Sequence, residues 1–161
     1  MNNFFNLSDI SALNFLHINC PSLKNYFGPV NSLLHFISSP LSAMFVTETW
    51  LTESLHDVFT IPGYRFFSRS RLNKLGGGVG IYVNNSFDCK VRQDLCQMTD
   101  YMECIFVECR QPRGPLILIG SVYRPPNTDI ARFNNNLLSI LNTIDLVTKN
   151  KNLTIFSEAL T

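Results

Sequence analysis

Apolar residues recur at helical spacing in two stretches of this chain and in strand-length runs through most of the rest. Leu13-Asn14-Phe15-Leu16-His17-Ile18-Asn19 alternates loosely and predicts a first strand ending at Asn19. Ser22 is placed to cap the next segment, where Leu23, Tyr26, Phe27, Val30, Leu33, Leu34 and Ile37 make one apolar helical face. Gly28-Pro29 interrupts that face, which predicts a kink or two short helices. After Ser38-Ser39-Pro40, the run Ala43-Met44-Phe45-Val46 predicts a buried strand that stops at Thr47-Glu48-Thr49-Trp50. Strand, helix and strand at this spacing form a βαβ unit, which requires a parallel pair with a right-handed crossover.

The rhythm then changes. Thr52 to Pro62 reads as a loop with room for a helical turn, and Tyr64-Arg65-Phe66-Phe67 opens a run of different character. Gly76-Gly77-Gly78-Val79-Gly80-Ile81-Tyr82-Val83 reads as a flexible turn feeding a strand, with Asn84-Asn85 as the next turn. Short strands follow around Cys89 to Val91, Met102 to Cys109 and Leu116 to Arg124, separated by good turn chemistry and so predicted to be antiparallel. Pro125-Pro126 ends the last of them. Asn127, Thr128 or Asp129 caps a second helix with an apolar face of Ile130, Phe133, Leu137, Ile140, Leu141, Ile144 and Val147. Lys149 and Lys151 suit its C-terminal end. Leu153 to Phe156 is a further strand, after which only Ser157 to Thr161 remain.

Composition narrows the class. A chain of 161 residues, 45% apolar and 16% charged, is one globular domain rather than a disordered segment. A net charge of +1 excludes bulk charge attraction to nucleic acid and leaves local patches open. No run reaches the length of a membrane-spanning helix, and Met1-Asn2-Asn3-Phe4-Phe5 lacks the start of a secretory leader. The expected compartment is therefore intracellular, with no membrane contact. The five cysteines have no C-x-x-C spacing and are expected as buried reduced thiols, Cys104 and Cys109 on opposite faces of their strand. The sequons at Asn6, Asn84 and Asn152 are read as chance matches.

Candidate chemistry gathers at strand ends. Glu48 follows a strand at the end where open α/β sheets present ligand-contacting groups, although such an acid also starts many solvated loops. Asn19 ends the neighbouring strand, and both residues could give oxygen ligands to a hard cation such as magnesium. Arg65, Arg69, Arg71 and Lys74, interleaved with Phe66 and Phe67, read either as a phosphate-backbone contact or as a hydrated hairpin face. Tyr123, beside Arg124, either positions a phosphate with its hydroxyl or caps the core with its ring. His17 reads as a satisfied histidine rather than a ligand, and His35 and His56 have no partner evident in the sequence. No Walker loop, Ser-His-Asp arrangement or H-E-x-x-H motif is present, so side-chain nucleophilic catalysis is not expected.

Taken in order, Asn19-Cys20-Pro21-Ser22-Leu23, Thr47-Glu48-Thr49-Trp50-Leu51, Gly63-Tyr64 with Arg69-Ser70-Arg71, the Gly76 to Val83 run and Tyr123-Arg124-Pro125-Pro126 resemble the endonuclease domain of jockey-like non-LTR (LINE-type) retrotransposons. That domain belongs to the endonuclease/exonuclease/phosphatase superfamily, and the resemblance runs from about Leu13 to Phe156. It implies a four-layered α-β-β-α sandwich and magnesium-dependent hydrolysis of a DNA phosphodiester, nicking target DNA to prime reverse transcription. It further implies that Glu48 is the metal-binding glutamate, that Asn19 supports metal and phosphate, and that Tyr123 contacts the scissile phosphate. Arg69, Arg71, Lys74 and Arg124 would contact DNA, and a reverse transcriptase domain would accompany the endonuclease in the full element. Action on target DNA would place the protein in the nucleus.

The departures from the family pattern set a second expectation. Cys20-Pro21 replaces a segment carrying a basic residue, and Ser70 stands where an acid is usual. After Leu153 to Phe156 the family continues G-D-F-N, where this chain reads Ser157-Glu158-Ala159-Leu160, with Glu158 as a stand-in for the aspartate. The later S-D-H segment and the polymerase are absent from the sequence. Residues 1–12 are thus expected to be an extension, and 13–161 an incomplete domain inactive by itself. The alternative is a non-catalytic remnant that retains DNA or protein binding.

Overall fold

In this computed structural model, which describes residues 13–72, 76–111, 114–148 and 153–160 (backbone alone at 147–148, 153–156 and 158–160), the opening βαβ unit forms as its spacing predicts. Strands β1 (Phe15–Asn19) and β2 (Ala43–Thr47) pair in parallel, Phe15 opposite Ala43 and Asn19 opposite Thr47. The crossover is α1 (Leu23–Phe36), a single helix with Pro29 inside it rather than two short ones. A proline there removes one intrahelical hydrogen bond. Burial holds the helix together regardless: Leu23 and Val30 are buried, and Phe27, Leu34 and Ile37 pack with them against Met44, Val46 and Tyr82. Tyr26 and Leu33, assigned to the same stripe by spacing, lie outside it and are exposed. Ser22 does hold the N-cap position, but its backbone is left-handed at φ 66° and its hydroxyl makes no cap bond.

Two sheets follow from the remaining strands. In the first, β4 (Val79–Asn84) lies between β2 and β3 (Tyr64–Arg69), antiparallel to both, giving the order β1-β2-β4-β3. In the second, β5 (Asp88–Val91), β7 (Glu103–Arg110), β8 (Leu116–Arg124) and β9 (Leu153–Leu160) lie side by side, and the short β6 (Gln97–Met98) pairs with the start of β7. The two sheets pack face to face over Phe45, Ile81, Ile105, Val107, Ile117 and Ile119. Outside the second sheet lies α2 (Ile130–Thr148), which buries Phe133, Ile140 and Ile144 against Cys104, Phe106 and Leu118. Helix, sheet, sheet, helix is the expected four-layer arrangement.

Details of α2 and β9 sharpen the sequence reading. Asp129 is the cap of α2: its Oδ1 accepts the N–H groups of Ala131 at 2.8 Å and Arg132 at 3.3 Å. Ile130, expected in the packed face, is exposed in the first turn. Lys149 and Lys151 lie outside the described residues. Strand β9 does not stop at Phe156 but continues to Leu160, because β8 offers a long parallel edge and no glycine or proline interrupts residues 153–160. Val122 therefore pairs with Glu158 and Tyr123 with Ala159. Cys104 faces α2 and Cys109 faces the inter-sheet core, as their spacing requires, and all five cysteines are free. No helix among the described residues is long and apolar enough to cross a membrane.

Candidate active site

Register brings the candidate residues to one rim. In the first sheet Thr47 lies opposite Val79 and Val79 opposite Arg69, so β2, β4 and β3 share an end. In the second, Glu103 lies opposite Tyr123 at the start of β7 and the end of β8. The strand packing places these two ends together.

The chain leaving β2 is held in an unusual conformation. Glu48 (φ 56°) and Trp50 (φ 52°) are both left-handed, a region that non-glycine residues enter at a cost. Backbone bonds on both sides fix it. Glu48 C=O accepts the Ser22 N–H at 3.0 Å, and Thr49 C=O accepts the Leu23 N–H at 2.9 Å. From the other side Thr49 N–H donates to Gly78 O at 3.3 Å, and Trp50 N–H donates to Gly77 O at 2.8 Å. The glycine run is thus a tight clamp. A Cβ at Gly78 (φ 92°) would sit 2.4 Å from Thr49 Oγ1, and one at Gly77 would meet Arg71 and Glu103 at 2.5 Å.

The Glu48 carboxylate is aimed by both sheets. Its Oε1 accepts the Tyr123 hydroxyl at 3.0 Å and the Asn19 Nδ2 at 3.4 Å. Thr47 Oγ1 donates to Asn19 Oδ1 at 3.0 Å and lies 3.2 Å from His17 Nε2. Having one proton, already given to Asn19, that hydroxyl accepts from His17, which fixes the proton on Nε2. Burial lowers the His17 pKa and favours this neutral ring. His17 is therefore a satisfied histidine that orients Thr47. Tyr123 caps the core with its ring, which is buried between the sheets, while its hydroxyl donates to Glu48.

Beneath the clamp lies an acid that sequence reasoning did not single out. Glu103 is fully buried, pairs with the Arg71 guanidinium, and accepts the Gly78 N–H at 2.5 Å. Burial pushes its carboxyl pKa up, partly offset by the Gly78 N–H and by Arg71. One signal was available: strand parity sets Glu103 on the same face as Ile105, Val107 and Cys109, the inward face.

The basic cluster is correspondingly less open than its sequence implies. Arg71 is committed to Glu103, Arg69 is hydrogen-bonded to Gln93, and Lys74 lies outside the described residues. Arg65 is exposed on β3, and Arg124 ends β8 half-buried. His56 does have a partner, Ser70 Oγ at 2.7 Å from its Nε2, so the serine found in place of an acid closes a local pair.

The oxygen donors gathered here suit a hard cation such as magnesium. Glu48 Oε2 has no partner among the described residues, and the Asn19 amide oxygen accepts one hydrogen bond, from Thr47, of the two it can take. Among the described residues no group of three or more His, Cys, Asp or Glu side chains could enclose a metal. One free carboxylate oxygen suits a cation that keeps much of its water and shares its remaining positions with phosphate. Asn19 Nδ2, which donates to Oε1, steers the Glu48 carboxylate.

No protein-family model matches the sequence, and no curated protein is significantly similar to it. Solved structures do match. TDP2 of D. rerio complexed with a single-strand DNA product aligns at TM-score 0.63 and 13% identity, over 91% of this chain and 59% of that one. The AP endonuclease LMAP of Leishmania major aligns at 0.63 and 12%, over 89% and 53%. The 3' phosphatase NExo from Neisseria, bound to a product DNA hairpin, aligns at 0.57 and 11%, over 91% and 57%. The chain thus spans a little over half the length of these structures. At such identities the likeness establishes architecture: the chain has the endonuclease/exonuclease/phosphatase fold.

Proposed function

We propose that this chain is the cation- and phosphate-binding half of a DNA phosphodiesterase site. The observation that carries the reading is the 3.0 Å bond from Tyr123 to Glu48 Oε1, which joins two sheets through residues 75 positions apart and leaves Oε2 without a partner among the described residues. In this reading Glu48 holds a magnesium ion, Asn19 and Tyr123 fix its carboxylate, and Arg124 faces the DNA backbone from the end of β8. Bound there, the cation would polarise a phosphoryl oxygen and stabilise the departing oxyanion. The ordered segments from Asn19 to Pro126 support descent from jockey-like LINE endonucleases, whose nicking primes reverse transcription and whose place of action is nuclear DNA.

Hydrolysis needs more than these groups. The buried acid nearest Glu48 is Glu103, and it is spent on Arg71 and Gly78. Among the described residues no group of three or more His, Cys, Asp or Glu side chains gathers at Glu48. The 161-residue chain is accordingly expected to bind DNA more tightly with magnesium than with EDTA, to lose that difference in Glu48→Gln, and not to nick supercoiled plasmid. A wild-type chain whose DNA binding ignores magnesium would overturn the cation reading. Nicking abolished by Glu48→Gln would instead show that the chain completes its own site.

A further inference from the structure

Beside this rim lies a cavity of about 470 Å³ whose lining includes Glu53, His56, Ser68, Arg69, Gln93 and Gln97. Its size falls within the range of small-molecule sites, roughly 300–1,000 Å³. Leu72, Cys96 and Met98 give it apolar walls. Its polar groups are chiefly neutral. The two charged side chains in the lining, Arg69 and Glu53, are of opposite sign, and burial lowers the His56 pKa, which favours its neutral ring. Ser68 Oγ is buried with no hydrogen-bond partner among the described residues. Gln93 gives its carbonyl to Arg69 and keeps two amide protons to donate.

That chemistry discriminates between ligands. A phosphate site needs a surplus of cations, and this cavity has none. Amides and hydroxyls that both donate and accept, set between apolar walls, match the edge and faces of a heteroaromatic ring. Arg69 lies two strands from Thr47 in register, about 10 Å at the usual strand spacing. A ring held there would belong to a nucleotide a step or two along the strand from a phosphate at Glu48.

We infer that the His56–Ser70 cavity is a nucleobase subsite that seats one unpaired base of the DNA strand bound at the Glu48 rim. Gln93, Gln97 and Ser68 address the base edge, and Leu72 and Met98 cover its faces. This inference rests on the DNA reading above but not on the cation. It is tested in EDTA with the full chain, using a short single-stranded oligodeoxynucleotide that carries one fluorescent adenine analogue, and the same strand with an abasic residue in its place.

The base-containing strand should bind about tenfold more tightly than the abasic one, the scale of one good base contact. Gln97→Leu and the milder Ser68→Ala should each bring the two strands within about twofold, on the same scale. Equal binding of the two strands would show phosphate contact only and overturn the subsite. So would a preference unchanged in both cavity variants. A base preference without any magnesium effect would leave the subsite standing and sink the cation reading, so the two failures are distinct.

Discussion

The Arg71–Glu103 pair permits a double-substitution cycle whose outcome follows from burial. Glu103 is 0% and Arg71 16% exposed, so neither charge is well solvated once its partner is gone. Removing one member of a buried pair costs about 3–5 kcal/mol, because the other is left uncompensated. Arg71→Met and Glu103→Leu should each lose that much. Against a domain stability of about 5–15 kcal/mol this is roughly a fifth of the total or more. At a mid-range urea slope the midpoint falls by about 2 M.

The double variant has no stranded charge, and replacing a buried pair by apolar side chains is often neutral. It does orphan the Gly78 N–H, now held by Glu103 at 2.5 Å, which costs about 1–3 kcal/mol. The double variant should therefore be more stable than either single one, with a coupling of several kcal/mol. Urea unfolding followed by circular dichroism and by the fluorescence of Trp50 measures it. That tryptophan, the sole one in the chain, is tied to the clamp through Gly77. If the double variant loses the sum of the two single losses, Glu103 is not acting through Arg71.

Two further outcomes follow from side chains away from the rim. Cys89 and Cys109 lie opposite each other in β5 and β7 with sulfurs 3.5 Å apart, and the hydrogen bond between them lowers the Cys89 pKa and raises that of Cys109. Diamide should join them, reducing the five thiols titratable in denaturant to three; five remaining after treatment of the wild type would refute the pairing, and Cys89→Ser should block it. His17 and His56 both have folded pKa values lowered by burial below the ordinary 6.5. Their neutral forms are favoured by folding, so the stability they contribute is present above pH 6.5 and is lost as pH falls through the lowered values. The urea midpoint should drop on that side, and an equal drop in a His17→Gln, His56→Gln double variant would refute the assignment.

What the sequence revealed was local rhythm. Alternation and helical spacing located nearly every element, and strand parity put Cys104 and Cys109 on the faces they occupy. What stayed hidden depended on partners distant in sequence. Arg71 reads as one of a basic cluster until the fold sets it against Glu103, 32 positions away. His56 lacks a partner until β3 ends at Ser70. Pro29 breaks a helix by local rule and fails to do so where the flanking turns are packed. β9 outruns its apolar stretch for the same reason, since the edge of β8 carries the strand on to Leu160.

Glu48 shows how the visible and hidden layers combine. Its place after a strand is evident from the sequence, but its aim comes from a backbone that local preference opposes. Left-handed residues cost about 1–2 kcal/mol each, and here Glu48 and Trp50 both adopt that conformation. Neither would hold it unaided. Hydrogen bonds from Ser22 and Leu23 on one side, and to Gly77 and Gly78 on the other, determine the loop from both flanks. Glu103 in turn grips Gly78 from below. The strain is thus concentrated at one point, where it turns a single carboxylate toward Tyr123 and leaves its second oxygen without a partner among the described residues. A loop serving only to connect β2 with β3 would have no need of so many constraints, and their convergence on Glu48 is the physical argument for reading it as a site.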